Sequence, residues 1–323
     1  MSRRIAHVIF RAGVTLFMVA ILNFILFRVI PGDPANLLLA GAKTSITAEQ
    51  IEAQRERWAL DRPLIPDQVL DYLSTTLQGD FGYSFKFRGR HVADLILERL
   101  PATIALVGVA QVLAIICGVM LGVYAGWRRG GAVDHIATGV SLALYSTPAF
   151  WLGMILVVIF STALGWLPGY GVHSLGAITG SLDWLIDYLR HLALPVTAVT
   201  LGLIGQYVVV ARAAMSEVVT EDYMVTARAK GLTNGQMLMG HAFRNAMLPV
   251  VTLITLNLGY VVAGAVTVEA VFAWPGIGGL TVEALNARDY PVLQGVFLLL
   301  GASIVVANLV ADLAYGLLDP RVR

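Results

Sequence analysis

The sequence has little charge and almost no cysteine. Only 13% of its 323 residues are charged and 57% are hydrophobic, whereas a soluble domain carries about 25% charged residues. Cys117 is the single cysteine, so no disulfide can form within the chain. The net charge of +1 provides no basic excess for binding nucleic acid. These deficits predict a polytopic membrane protein without a nucleic-acid partner.

Motifs for catalysis and for phosphate or metal binding are also missing. The lysines stand at 43, 86 and 230 and never follow a glycine, so the Gly-Lys-Ser/Thr core of a Walker A loop is absent. The chain has no His-Glu-x-x-His, no Gly-x-Ser-x-Gly and no cysteine pair, and its histidines are scattered. We therefore expect no enzyme activity, no catalytic residue, no metal site and no cofactor in this chain.

Long apolar runs are abundant, and six of them can cross about 30 Å of hydrocarbon as helices. Their approximate limits are 8–30, 102–126, 135–164, 192–213, 248–273 and 291–316. The first run is longer than the apolar part of a signal peptide, so we interpret it as an uncleaved anchor. The sequence therefore predicts an all-α membrane protein with six transmembrane helices.

Basic residues in the short loops predict the orientation of these spans. Among the basic residues of the short loops and tails, only Arg190 and Arg288 fall on one side of the membrane. The residues on the other side are Arg3, Arg4, Arg11, Arg128, Arg129, Arg212, Arg228, Lys230, Arg244, Arg321 and Arg323. Because basic loops stay in the cytosol, both termini and the loop 214–247 are predicted to be cytosolic.

Residues 31–99 form the one sizeable segment between spans, and the orientation places them outside. Helix patterns are present over 47–58 and 66–78. This segment is either a structural lid or a docking surface for an external partner. The predicted domains are span one with its tail (1–30), a small external domain (31–99) and a five-span core (100–323).

Small residues form a ridge on span two. Gly118, Gly122 and Gly126 recur at every fourth position, which places them on one helix face and permits close helix packing. The ridge is predicted to pack either within the bundle or against a second subunit.

A polar island, residues 220–249, interrupts the apolar spans and is patterned like folded structure. Thr220 is the predicted cap of a short helix whose first turn is acidic. Arg228 and Lys230 fall in its last turn, an order that suits the helix dipole. Gly231 is predicted to end this helix.

A second helix is predicted to follow directly. Thr233 and Gln236 have the spacing of a capping box, and the helix is expected to end before Pro249. A membrane protein that folds two helices into one cytosolic loop is expected to offer that loop to a partner.

Ionisable residues inside the spans are few. Glu269 and Asp312 both lie toward span ends, whereas a proton-driven transporter is expected to bury several acids near the midplane. At about 1.5 Å per residue from Pro249, Glu269 is expected at the outer interface, where a charge costs little. Glu269, with Phe272 beside it, is the candidate outer gate. A purely structural role and direct contact with substrate are the alternatives.

Several stretches together match a known family. TARAKGL (226–232) followed by HAFRNAMLPVV (241–251) looks like the peptide-transporter form of the ABC permease signature loop. Further matches are FRVIPGDPA (27–35), ALDRPL (59–64), GDFGYSF (79–85), ERLPATIAL (98–106), VEAVFAWPGIG (268–278) and RDYP (288–291). The chain resembles the B-type membrane subunit of dipeptide/oligopeptide ABC importers, and the matches span nearly its whole length.

This resemblance implies a type I ABC importer permease fold in a bacterial inner membrane. It implies four kinds of partner: a homologous C-type permease, two ATP-binding subunits that hold ATP and magnesium, an external substrate-binding protein and a peptide substrate. The signature loop would insert a helix into a groove of an ATP-binding subunit. By position, the coupling residues are Ala227, Arg228, Ala229, Lys230 and Gly231.

The loop departs from the general motif of the family at two points. The general motif begins with Glu six residues before the glycine, and this position is Val225 here. The spacing from Gly231 to Leu248-Pro249 is also longer. Both departures are attributed to the peptide subfamily.

Three classes of function remain open at this point. The first is an ABC permease, for peptides or for nickel chelates, glutathione, opines or glycans. The second is a proton-coupled secondary transporter, which would work without ATP. The third is a membrane scaffold or receptor without transport.

Overall fold

A computed structural model describes residues 2–29, 63–87, 89–174, 180–263 and 265–318, and these are predominantly helical. The helices are α1 (Ser2–Phe24), α2 (Val69–Leu77), α3 (Val92–Thr103), α4 (Val109–Trp127), α5 (Ala132–Ser146), α6 (Ala149–Leu156), α7 (Leu182–Val218), α8 (Asp222–Ala229), α9 (Asn234–Met237), α10 (Phe243–Ala263), α11 (Val266–Val271), α12 (Ile277–Ala287) and α13 (Tyr290–Leu318). The π-helical turns are Ile25–Val29, Leu64–Gln68, Ile104–Gly108, Val157–Ala163 and Leu238–Ala242.

Five helical runs are long and apolar enough to cross a membrane, and a bent pair makes a sixth. In order, spans one to six are Ala6–Phe27, Val92–Trp127, Ala132–Ser146 with Ala149–Ala163, Leu182–Val218, Asn234–Gly259 and Tyr290–Val310. The predicted all-α chain with six transmembrane segments is therefore confirmed, with the bent pair as one span. Span four begins ten residues before its predicted start, because Ser181 caps it by accepting a hydrogen bond from the Trp184 N–H.

Span three is not the continuous helix predicted over 135–164. Its halves α5 and α6 meet at 99°. Thr147 and Pro148 separate them with extended ψ angles of 128° and 132°. The residue before a proline is disfavoured in the helical region, so the chain turns at this point.

Span five also differs from the prediction. The second loop helix was predicted to end before Pro249. Instead, the helical run that begins at Asn234 continues into α10, which contains Pro249 and ends at Ala263. A proline removes one N–H donor, which membrane helices tolerate when neighbouring groups re-satisfy the backbone. The predicted span 248–273 is instead broken, and the separate helix α11 carries Glu269.

The described residues divide into two compact units. The first draws on Met1–Thr103, Val262–Val266 and Pro275–Arg323, and the second on Ile104–Val261 and Thr267–Trp274. The domains proposed from the sequence follow membrane topology rather than packing, and they stay a prediction.

In the first unit, α1 packs along α13. A Cβ placed on Gly301 would lie 2.5 Å from Val19 Cγ1, so the two helices approach closely at this glycine. Nearer the ends of the two helices, Arg11 donates to Asp312 at 2.9 Å. Asp312, one of the two acids noted inside the spans, is thus paired with a base.

The helix predicted over 66–78 is confirmed as α2, whereas the one predicted over 47–58 lies outside the described residues. Tyr72 anchors α2, because its buried hydroxyl donates to Asn23 Oδ1 at 3.1 Å. The Asn23 amide in turn donates to the Gln294 carbonyl oxygen at 3.1 Å. Part of the segment 31–99 is therefore fixed to helices α1 and α13 by buried hydrogen bonds.

A second attachment of the same segment centres on Asp289. Its buried carboxylate accepts hydrogen bonds from the Ser84 hydroxyl and from the Lys86 N–H. Burial raises the pKa of Asp289, and these hydrogen bonds oppose the rise. Lys86 also forms an ion pair with Glu283 of α12 at 2.8 Å.

The second unit is built around α7. The glycine ridge of α4 packs against it, because Cβ atoms on Gly118, Gly122 and Gly126 would lie 2.5–2.6 Å from atoms of Tyr207, Val208 and Arg212. Of the two alternatives for the ridge, packing within the bundle is therefore the one observed. Another face of α7 receives span three, since a Cβ on Gly202 would meet Ala149 at 3.1 Å.

We expect Gly122→Ala to destabilise the protein more than Gly139→Ala. The added methyl at Gly122 would lie 2.5 Å from the Val208 carbonyl oxygen, and overpacking of this kind costs about 1–3 kcal/mol. Gly139 is also helical but has no atom within 4 Å of its Cβ position, so alanine is expected to be neutral or stabilising there. Thermal unfolding of the detergent-purified variants measures the difference. Equal melting temperatures would contradict the close approach.

Candidate functional site

The loop 214–247 contains α8 and α9, as the polar island predicted. Glu221 is the N-cap of α8 and makes no side-chain cap bond. The prediction that Thr220 caps this helix is wrong, because its hydroxyl instead donates to the Glu217 carbonyl oxygen at 2.7 Å. Asp222 in the first turn and Arg228 in the last complement the helix dipole as expected.

Gly231 ends α8, as predicted. Its φ of +77° is a left-handed conformation that suits glycine. Beyond it, Thr233 and Gln236 form the predicted capping box, with the Thr233 N–H donating to Gln236 Oε1 at 2.9 Å. The turn between the helices is therefore fixed by backbone conformation at one end and by side-chain hydrogen bonds at the other.

One face of α8 is buried in the second unit. Met224 and Ala227 are 4% and 5% exposed. They belong to a core cluster with residues of the spans, among them Val119, Val123, Ala211, Met215, Ala246 and Val250. Ala227, one of the predicted coupling residues, is therefore part of the core rather than of the exposed surface. The i, i+3 spacing of these two apolar residues in a polar island is the signal that sequence reasoning missed.

The remaining surface of α8 and the turn after it are open. Arg228, Ala229, Lys230 and Gly231 are exposed, and Val225 is 65% exposed. Neither cation forms an ion pair with any residue that the structure describes. Four of the five predicted coupling residues therefore lie exposed at the C-terminal end of α8 and in the turn after it, where Arg228 and Lys230 carry positive charge.

A partly buried ion pair joins α5 and α7. Arg212 of α7 binds Asp134 of α5 through two hydrogen bonds, from Nε at 2.7 Å and from Nη2 at 2.8 Å. The Asp134 side chain is 1% exposed and also accepts the Gly130 N–H at 2.9 Å. Sequence reasoning missed this pair, because 78 residues separate its members and nothing in the sequence connects them.

The two candidate gate residues lie in and directly after α11. Glu269 is fully buried. The modest desolvation cost expected for its charge is therefore wrong. The helix along which its depth was counted ends at Ala263, and its position at the outer interface stays a prediction. Its backbone carbonyl accepts the Trp274 N–H at 2.8 Å and closes the turn that follows the helix.

Phe272 is held from two sides within the second unit. Its carbonyl oxygen accepts the Gly171 N–H at 2.9 Å. Its ring lies against α6, where a Cβ on Gly153 would lie 2.9 Å from Phe272 Cε2. The ring therefore fits only because residue 153 is a glycine. The role of Glu269 and Phe272 as an outer gate stays a prediction.

A polar cluster joins three spans of the second unit. The buried Tyr207 hydroxyl is hydrogen-bonded by the Gln111 amide and by Asn257 Nδ2, the latter at 3.0 Å. Polar side chains inside a membrane protein need such partners, since unpaired ones are costly in hydrocarbon. Within the described ranges, no three histidine, cysteine or acidic side chains are placed to hold a metal ion.

The helical spans define a polytopic membrane protein. The chain belongs to the family described as binding-protein-dependent transport system inner membrane component, whose model matches residues 118–323. The model of the N-terminal part of such components matches residues 1–107. Membership confirms the resemblance to an ABC importer permease and describes a membrane permease subunit.

Named relatives are similar over nearly their whole length. The chain is 40% identical to the di/tripeptide transport system permease protein of Pseudomonas aeruginosa (strain UCBPP-PA14), with 96% of this chain and 95% of that protein covered. It is also 40% identical to the glutathione transport system permease protein of Escherichia coli (strain K12), with the same two coverages. Both relatives are permeases, and their names differ in the substrate.

We expect Ala227→Trp to destabilise the isolated permease, and Ala229→Trp to leave it folded. Tryptophan at the buried Ala227 must displace the core around Met215, and overpacking costs about 1–3 kcal/mol or more. Ala229 is exposed two residues further on, where substitutions usually change stability by less than about 0.5 kcal/mol. Size-exclusion chromatography and thermal unfolding without partner subunits compare them. Equal stability of the two variants would contradict the burial of Ala227.

Proposed function

We propose that this permease is the membrane-spanning subunit of an ATP-driven importer, in which it forms half of the path for di- or oligopeptides. A homologous C-type permease supplies the other half, and an external binding protein delivers the substrate. Two ATP-binding subunits, which hold ATP and magnesium, drive the cycle. The observation that carries this proposal is the two-sided helix α8, whose inner face is core and whose exposed residues end in the cations Arg228 and Lys230.

A helix of this kind can transmit force. Burial of Met224 and Ala227 fixes α8 to the spans, so a push on its exposed face moves the spans with it. Arg228 and Lys230 can pair with acids in a groove of the ATP-binding subunit, and Ala229 and Gly231 let the two backbones approach. These four residues are the proposed contact, and Ala227 acts from below as part of the support.

Short peptides are the proposed substrate class. The names of the relatives support it, since one transports di- and tripeptides and the other glutathione. Nickel chelates, opines and glycans remain the alternatives within the family. We place the docking site of the external binding protein on the segment 31–99, whose described part is held by the hydrogen bonds of Tyr72 and Ser84.

The proposal predicts ATP-dependent peptide uptake by the assembled complex. The permease is reconstituted in proteoliposomes with the C-type permease, the ATP-binding subunits and the binding protein, and uptake of labelled di- and tripeptides is measured. We expect uptake only with ATP and binding protein. Uptake by the permease alone, driven by a proton gradient without ATP, would establish the secondary transporter instead.

The same assay tests the contact on α8. We expect Ala229→Trp to lower uptake by about tenfold or more, equivalent to about 1.4 kcal/mol of lost interaction. The reason is that the indole would separate α8 from the groove while the permease stays folded. Ala229→Ser keeps the residue small and serves as the matched control, with uptake expected at the wild-type rate. Wild-type uptake by Ala229→Trp would remove α8 from the interface.

The proposed orientation is a multi-pass protein of the bacterial inner membrane with both termini in the cytosol. A reporter fused after Arg323 should be active only in its cytosolic form, because eleven of thirteen short-loop basic residues fall on that side. An epitope inserted at Leu60 should be accessible from outside intact spheroplasts. The opposite result at either position would reverse the topology.

A further inference from the structure

Helix α8 packs in one core with α7 near Arg212, and Arg212 also contacts spans two and three. This residue lies on α7, three residues before the fully buried Met215, which packs in the same core as Met224 and Ala227 of α8. A displacement of α8 is therefore transmitted to α7 at Met215, about one helical turn from Arg212.

Two neighbouring elements converge on the same residue. On α4, a Cβ on Gly126 would lie 2.6 Å from the Arg212 carbonyl oxygen, and one on Gly122 would lie 3.1 Å from its N atom. On α5, Asp134 receives the guanidinium in the two-bond arrangement described above. The backbone of Arg212 thus touches span two while its side chain holds span three.

The pair is placed so that neither member is easily replaced. The Asp134 side chain is 1% exposed, whereas that of Arg212 is 35% exposed. The carboxylate also accepts the Gly130 N–H at 2.9 Å, which fixes the short turn between spans two and three. A planar guanidinium matches both carboxylate oxygens at once and so restrains orientation as well as distance.

We propose that Asp134 and Arg212 are positioning residues for energy coupling: their ion pair makes spans two, three and four respond as one body to movement of α8. The inference rests on the proposed function, because it requires a partner that moves α8. Without the ion pair, α7 can move with α8 while span three does not move. ATP hydrolysis then continues, but less of it produces transport.

The test is the number of ATP molecules hydrolysed per peptide transported by the reconstituted complex. Asp134→Asn keeps the shape of the side chain and removes its charge, and we expect the ratio to rise about fivefold or more, the lower end of typical couplings between sites. The matched control is Asp312→Asn, which breaks the more exposed ion pair with Arg11 in the other unit. The ratio of that variant should stay at the wild-type value. A merely structural role of Asp134 would reduce the amount of complex but leave its ratio unchanged.

A second variant covers the case in which Asp134→Asn does not accumulate. Arg212→Lys keeps the buried carboxylate paired but cannot make both hydrogen bonds, so a smaller rise in the ratio is expected. A wild-type ratio in either variant that accumulates overturns the inference. If the wild-type complex itself shows no ATP-dependent uptake, the proposed function fails, a result distinct from normal coupling in the variants.

Discussion

The close approach of α4 to α7 is the constraint on which the second unit depends. Gly118, Gly122 and Gly126 bring the backbone of one helix against the other, where any side chain would collide with Tyr207, Val208 or Arg212. In hydrocarbon there is little hydrophobic gain from joining two apolar helices, so contact of this kind must come from packing and hydrogen bonds. Because α7 is held in this way on one face, another face can present Gly202 to span three, while Met215 on the α4 side packs in one core with α8.

Hydrogen bonds between buried polar groups then select one arrangement of the apolar helices. The Tyr207 hydroxyl joins spans two, four and five, and the Asp134–Arg212 pair joins spans three and four. In the first unit, Asn23 and Asp289 play the same part for the segment after span one. Apolar helices can slide past one another at small cost, whereas leaving any of these buried groups unpaired costs several kcal/mol. The buried polar residues thus specify position, and the apolar residues supply contact area.

The features that depend on nearby residues were predicted correctly from the sequence. Hydropathy located the six spans, and the glycine at 231 and the capping box at Thr233 were read correctly, because each depends on neighbours within a few residues. Three other expectations failed. Pro249 continues a helix, Thr220 yields its capping role to Glu221, and Glu269 is buried after a helix break. The Asp134–Arg212 pair joins distant parts of the chain, so no periodicity or spacing pointed to it.

The exposure of Val225 gives a physical meaning to the departure from the general family motif. Where that motif has a glutamate, this chain presents an isopropyl group that is 65% exposed on α8. Full burial of such a side chain in a partner's groove contributes about 1.5–3 kcal/mol, whereas an exposed ion pair contributes at most about 1 kcal/mol and is screened by salt. We infer that Val225 adds an apolar surface to the proposed contact of Arg228, Ala229, Lys230 and Gly231. In such an interface the valine would contribute binding energy by burial, and the two cations would select the partner surface and the direction of approach.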